Sequence, residues 1–329
     1  MLTIGLVGFG FIGKAHFEAY RAIPDVEVAA ICTTKEISVD NYNGMLLTDF
    51  DALIQDKNMD IIDLCLPTYL HEEYILKAAK AGKHIICEKP LTLTEESANR
   101  IIDAAQRQHV RLFVGHVLRF WPEYQAIKGA LEKFPQVDIV TAKRLGQVPS
   151  WSAWFQHPNK SGGALFDLHI HDIDFAYDLL GDVAFIYAVG KQNHYGAWDH
   201  VMTTLTFANG TVAHMEASHR MPKGYPFTMS FRAQGKNATL DFEIQAGENI
   251  EAVDTRSTRF QLYKNDHQTT VEVPPGEAFQ NELTYFLDCI RHGEENHVVP
   301  LDDVLYVMKL LKAIEQSLET GEKVWVNGQ

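Results

Sequence analysis

The stretch "TIGLVGFGFIGKAHFEAYRAI", residues 3–23, runs from an apolar segment through glycines 8, 10 and 13 into a pattern that reads as a helix ending before Pro24. Few sequence features restrict a fold as tightly. A strand turning directly into a helix through GxGxxG predicts the opening unit of a dinucleotide-binding, doubly wound α/β domain. Each glycine has its own reason. Gly8 permits the tight turn, Gly10 lets a pyrophosphate approach the backbone, and Gly13 lets the helix pack close to the strand. The helix start then offers free N–H groups to the phosphates. Phe9, Phe11 and Ile12 fill the positions between the glycines and join the expected cofactor contacts.

The next hundred residues keep the same rhythm. "VEVAAICT", "DIIDLCLP", "KHIICEKP" and "RLFVGH" read as strands, separated by the helical patterns "YLHEEYILKAAKAG" and "LTEESANRIIDAAQRQH". Gly82 suits the end of the first of these helices, and Thr92 or Thr94 can cap the start of the second. Strand–helix alternation predicts a parallel sheet with helices on both faces. After about residue 120 the texture changes. The helix "PEYQAIKGALEKF" leads into longer strand-like runs, with "ANG" and "GKN" as turns between antiparallel neighbours. Helices around 278–292 and 301–320 close the chain. The expected organisation is an α/β Rossmann domain over residues 1–118 and an α+β domain over 119–329.

Composition narrows the partners. The chain has 329 residues, a natural length for two domains. With 29 basic and 43 acidic residues its formal net charge is −14, which repels phosphate backbones and argues against nucleic acid. Cys32, Cys65, Cys87 and Cys289 form no CxxC pair and read as small buried thiols in a reducing compartment, without zinc. The N-terminus lacks a signal peptide's basic region, and no apolar run reaches membrane-spanning length. A soluble cytoplasmic protein is expected.

Three further patterns carry chemistry. At the tip of the second strand an acid would bond the ribose 2′-hydroxyl of NAD. This chain has "ICTTKE" there, and Thr33, Thr34 and Lys35 suit a 2′-phosphate better, which favours NADP over NAD. Glu88, Lys89 and Pro90 follow a strand whose carboxyl end should border the ligand crevice, so Lys89 is placed to face nicotinamide or substrate. Finally, "GGALFDLHIHDID", residues 162–174, reads as the start of a helix. Asp167 and His171 then lie about 40° apart around the axis, with Asp174 close to the same line. His169 lies about 160° from His171, so the two histidines do not converge on a metal. A carboxylate beside an imidazole is acid–base equipment, able to move a proton near neutral pH. Trp151 and Trp154 precede the glycine pair, and Trp154 could wall a polyol pocket.

The order of these motifs resembles one family. A strand–GxGxxG–helix start, "CLPTYLH" after the third predicted strand, "EKP" after the fourth and "GGALFDLHIHDID" early in the second domain resemble the glucose-fructose oxidoreductase / inositol dehydrogenase / rhizopine catabolism (Gfo/Idh/MocA) family over essentially the whole chain. The resemblance implies a second domain with a large open, mostly antiparallel sheet and NAD(P)-dependent oxidoreduction of sugars or cyclic polyols. It also implies homodimers or homotetramers, which in this family often pack through that sheet. It maps Lys89, Asp167 and His171 onto the catalytic lysine, aspartate and histidine. It puts Leu66, Pro67, Thr68, His71, Glu88 and Lys89 near the cofactor, and Arg119 with Asp174 near the substrate. Tyr69 stands where members usually carry asparagine. Two other activities occur on such a fold: an NAD-retaining glycoside hydrolase and a non-catalytic nucleotide-binding regulator. The latter predicts loss of the lysine, aspartate and histidine, which this chain keeps.

Overall fold

The run "LTIGLV" forms β1 (Leu2–Val7), with Ile4 to Val7 buried, as expected of a strand covered on both faces. It passes through the glycine loop into α1 (Phe11–Arg21) and on to β2 (Val26–Cys32). A short edge strand β3 (Met45–Leu47) and the helix α2 (Phe50–Gln55) come next, and neither is evident from sequence pattern. Then follow β4 (Ile61–Leu64), α3 (His71–Lys80), β5 (His84–Glu88), α4 (Glu95–Arg107) and β6 (Leu112–Gly115). Thr94 caps α4, its hydroxyl accepting the Ser97 N–H at 3.2 Å. The six strands lie in the order β3-β2-β1-β4-β5-β6, and every recorded pairing is parallel. The order reverses between β1 and β4, which makes the crevice at their carboxyl ends the natural ligand site.

The computed structural model describes residues 1–149, 153–247 and 257–326. The chain divides into two units, Met1–Trp121 with Gly276–Leu305, and Pro122–Pro275 with Tyr306–Gln329. A single break after residue 118 would leave 276–305 in the second domain, whereas this segment returns to the first unit. The reason is packing. Helix α8 (Ala278–His292) buries Leu283, Phe286 and Leu287, and Phe286 meets Phe113 of β6 with ring centroids 4.9 Å apart.

The second unit begins with α5 (Pro122–Leu131) and β7 (Ile139–Leu145). After the short α6 (Pro158–Ser161) and a π-helical turn over Leu165–His169 comes α7 (Ile170–Leu180). The sheet continues with β8 (Val183–Gln192), β9 (Trp198–Phe207), β10 (Val212–Ser218), β11 (Phe227–Gly235), β12 (Ala238–Ala246), β13 (Ser257–Lys264) and β14 (His267–Thr270). Helix α9 (Leu301–Thr320) precedes the last strand, β15 (Val324–Trp325). The nine strands run β14-β13-β12-β11-β7-β10-β9-β8-β15. Only β7 and β10 pair in parallel among the described strands of this sheet. "ANG" joins β9 to β10 and "GKN" joins β11 to β12, both as antiparallel neighbours. Strand β12 alternates buried and half-buried residues along its length, so one face of the sheet carries the core. There Tyr124 of α5 packs edge-on against Phe175 of α7 and Phe242 of β12. Among the described residues no helix is long and apolar enough to cross a membrane.

Candidate active site

The glycine loop has the shape a pyrophosphate requires. Gly8 has φ +90°, and a Cβ on it would lie 2.3 Å from the Cys65 carbonyl oxygen. A Cβ on Gly13 would lie 2.1 Å from the Gly8 carbonyl oxygen, so helix and strand approach too closely for any side chain. A Cβ on Gly10 would meet nothing within 4 Å, leaving open the side from which phosphate would come. Gly10 is also the N-cap of α1; no side chain caps the helix and its first turn holds no acid, so nothing competes with an anion there. Phe9, Phe11 and Ile12 complete the loop. These features fit a dinucleotide. At the end of β2, Thr33 is half-buried, and Thr34 and Lys35 are exposed.

The loop after β4 holds Leu66, Pro67 and Thr68 and enters α3 through a single 3₁₀ turn. His71 is fully buried behind it. Its Nε2 lies 2.9 Å from the Leu66 carbonyl oxygen and its Nδ1 3.0 Å from that of Pro90. Burial lowers its proton affinity below the ordinary histidine value. His71, expected near the cofactor, ties the loop after β4 to the segment after β5. Lys89 is half-buried immediately after β5, and its backbone N–H donates to Oε2 of Glu88 at 3.2 Å. Arg119 is 2% exposed. Its Nη1 donates to the Val298 carbonyl at 2.8 Å and to Asp303 Oδ2 at 2.6 Å, so this nitrogen is committed to the fold.

In the second unit, Gly162 and Gly163 take left-handed φ values of +72° and +70°. They turn the chain into the π-helical turn that carries Asp167 and His169. The turn widens the helix where sequence pattern suggests a regular α-helix, and such turns are frequent at functional sites. His171 follows in the first turn of α7, half-buried, while Asp174 one turn on is buried. His169 points elsewhere, with Nε2 2.8 Å from Thr203 Oγ1. Burial, reinforced by the Arg144 charge, brings its pKa down to about 3, so it stays neutral and takes no proton near pH 7. Trp154 stacks on Phe155 at 4.0 Å, and Trp151 lies outside the described residues.

One site residue has no warning in the sequence. His219, just past β10, places Nε2 3.0 Å from Asp167 Oδ2. Its backbone is anchored by donation to the Asp199 carbonyl at 2.8 Å. The partners are 52 residues apart, and only the sheet brings them together. The His219 imidazole therefore holds the Asp167 carboxylate and helps set its orientation.

Comparison with known proteins gives the family. Residues 2–116 match the model of an oxidoreductase family with an NAD-binding Rossmann fold, and residues 128–241 match the GFO/IDH/MocA C-terminal domain. This chain belongs to the Gfo/Idh/MocA oxidoreductase family. Like its relatives, this Gfo/Idh/MocA member joins a dinucleotide-binding sheet to a large, mostly antiparallel one. It is 30% identical over 240 residues to myo-inositol 2-dehydrogenase of Thermotoga maritima, spanning 68% of this chain and 70% of that protein. It is 29% identical over 293 residues to levoglucosan dehydrogenase of Pseudarthrobacter phenanthrenivorans, spanning 75% and 72%. A solved levoglucosan dehydrogenase in complex with NADH and levoglucosan superposes with a TM-score of 0.81 at 25% identity, over 99% of this chain and 100% of that one. The chain is an oxidoreductase with a fold built for a nicotinamide cofactor.

Proposed function

We propose that this enzyme oxidises a hydroxyl-bearing carbon of a sugar, inositol or related polyol, or reduces the corresponding ketone. The observation that carries the reading is the position of Lys89, directly after β5 at the carboxyl edge of a sheet whose β1 leads into an open phosphate loop. Ligands of such sheets lie at that edge. The named activities of the inositol and levoglucosan dehydrogenases support the substrate class.

His171 acts as the general base for the substrate hydroxyl. Asp167, steadied by His219, orients and electrostatically supports it. Lys89 holds the same oxygen, and its positive charge favours the developing alkoxide. Arg119, Trp154 and Asp174 are the further substrate-side residues of this reading. The nicotinamide, when bound, supplies the acceptor for the hydride that leaves the carbon. Gly8 to Gly13, the Leu66–Thr68 loop and Glu88 border the dinucleotide.

NADP is the preferred cofactor, because two threonine hydroxyls and the Lys35 ammonium stand at the β2 tip where an acid would favour NAD. A homodimer or homotetramer forms through the large sheet. Tyr187, Val189 and Met202 are exposed on it, Val189 sits opposite Met202 in register, and a second copy would cover them. Four free cysteines accord with a cytoplasmic setting.

The test is a turnover screen of inositols, aldoses and keto-sugars with both cofactors, combined with fluorescence titration and light scattering. Reduction of NAD or NADP in proportion to substrate consumed is expected. Cofactor retained and recycled while a glycoside is cleaved would contradict the dehydrogenase reading. NAD binding tenfold tighter than NADP would reject the cofactor preference, and a monomer at micromolar concentration would reject the assembly.

A further inference from the structure

The interior of the first unit gathers more acid than a fold normally buries. His16 of α1, Asp63 of β4, Glu88 of β5 and Glu282 of α8 come from four separate segments, and all are buried. Tyr20 and Cys65 border them. His16 Nδ1 lies 2.8 Å from Asp63 Oδ2, and His16 Nε2 lies 3.2 Å from Glu88 Oε1. Tyr20 donates its hydroxyl to the same Asp63 oxygen at 2.9 Å. The other Glu88 oxygen accepts the Lys89 backbone N–H. Neither Glu282 oxygen has a hydrogen-bond partner among the described residues, although both are shielded from solvent. Gly115 makes room for the two glutamates: a Cβ there would lie 3.0 Å from Glu88 Oε1 and 3.6 Å from Glu282 Oε2.

Donor atoms of His16, Glu88 and Glu282, and likewise of His16, Asp63 and Cys65, all lie within 4.8 Å of one another, close enough to share an ion. The imidazole argues for protons instead. Both its nitrogens are aimed at carboxylate oxygens, and with both acids ionised only a ring with two N–H groups satisfies both. Three carboxylates around one cation would still leave two uncompensated charges in the interior, a heavy desolvation cost. A proton on Glu282 reduces that excess to one.

We propose that His16, as an imidazolium bridging Asp63 and Glu88, is a positioning residue for Lys89: it fixes the carboxylate that grips the lysine's backbone and thereby aims its side chain. The inference rests on the role given to Lys89 above. The clamp joins α1, β4 and β5, while α8, returning late in the sequence, closes it with Glu282 and with Phe279, whose ring lies 5.2 Å from His16.

The electrostatics run the same way. Burial by itself disfavours the imidazolium, but the Asp63 carboxylate, close to the ring and hydrogen-bonded to it, favours it, and His16 holds its proton above the ordinary histidine range. Burial pushes the Cys65 thiol up to about 12, so at neutral pH the sulfur is uncharged and the carboxylates hold the cation. Burial, then the Glu88 charge, raises Glu282 well above the usual carboxyl range. The groups facing His16 are thus Tyr20 on its own helix, Asp63 and Cys65 from β4 and its end, Glu88 from β5 and Glu282 from α8. Both raised values give stability that is full at low pH and declines as pH rises through them.

Histidine-labelled full-length protein, followed by ¹⁵N NMR, reads the first claim without turnover. Both nitrogens of His16 should carry protons at pH 8; a neutral ring there overturns the proposal. The second claim is read from kinetics. His16→Gln can donate to one carboxylate but not bridge two, and should lower kcat roughly 10–100-fold with cofactor Kd unchanged, as expected of a misplaced catalytic group. Glu88→Gln keeps an acceptor for the Lys89 N–H and should lose less. If His16→Gln does not fold, the NMR titration and Glu88→Gln still decide: Glu88→Gln with wild-type kcat overturns the clamp. Lys89→Met separates the two readings. If it is inactive while folded His16→Gln keeps full kcat, the clamp alone fails; if Lys89→Met itself keeps turnover, the role of Lys89 fails. A stoichiometric metal in the purified protein that disappears in Glu282→Gln would overturn the proton reading.

Discussion

Both units bury charge, but in opposite balance. In the second, Arg144 of β7 meets Asp172 of α7 through two bonds of 3.1 and 3.0 Å, and Arg144 also donates to the Tyr124 hydroxyl at 3.1 Å. Burial pushes the Asp172 carboxyl up while the pairing raises Arg144. The two-pronged geometry is that of guanidinium on carboxylate, and the pair is charged at neutral pH. One cation answers one anion, so nothing is left to titrate near neutrality. In the first unit three acids surround one imidazole, and charge is balanced by protons that a change of pH can remove. A balanced pair fixes a fold; an acid-rich cluster beside Lys89 can also set where a site residue stands and over what pH range.

The largest effect should come from breaking the balanced pair. Arg144→Met leaves Asp172 buried without its partner and should cost about 3–5 kcal/mol of stability in urea unfolding. Adding Asp172→Leu should recover much of it, since no charge then remains buried; a double variant as unstable as the single would mean packing rather than charge dominates.

The contrast sharpens with pH. As pH rises above neutrality, wild-type stability should fall, because the fold holds protons on His16 and Glu282 that the unfolded chain has released. Glu282→Gln, whose amide needs no proton taken up on folding, should flatten that slope and raise the melting temperature at pH 7. The Arg144→Met/Asp172→Leu variant should keep the wild-type slope. A slope unaffected by Glu282→Gln would place the titrating acid elsewhere.

The smallest pair of effects compares the two tyrosines. Tyr20→Phe removes a hydroxyl donor to the Asp63 carboxylate and should cost about 2 kcal/mol. Tyr124→Phe removes one acceptor from an arginine that keeps both bonds to Asp172, and should cost about 1 kcal/mol. Equal losses would mean that the two clusters respond alike.

The glycine loop, the strands around it and the late helices are legible in the sequence because each is local: three glycines at fixed spacing, a threonine cap, a turn between two alternating runs. β3 and α2 are not, since a three-residue edge strand with two exposed residues and a six-residue helix carry too little periodicity, although Asp49, whose side chain accepts the Asp51 and Ala52 N–H groups, is a start signal of the usual kind. The return of residues 276–305 to the first unit is hidden because an amphipathic helix does not say which core it covers. The π-helical turn has no spacing of its own to betray it beyond the two glycines. His219 and the His16 cluster are invisible for the same physical reason: their partners are distant in sequence, and only the completed sheets bring the polar atoms within bonding distance.

The most direct test of the account is the steady-state turnover of His171→Ala on the sugar or polyol that the screen identifies, measured across pH alongside cofactor affinity and with His169→Ala as control. The account predicts a fall in kcat of roughly 10²–10⁴-fold with cofactor affinity nearly unchanged, as for loss of a positioned proton acceptor, and a smaller effect at His169. Near-wild-type turnover of His171→Ala with its pH profile intact, or a larger loss at His169, would contradict it.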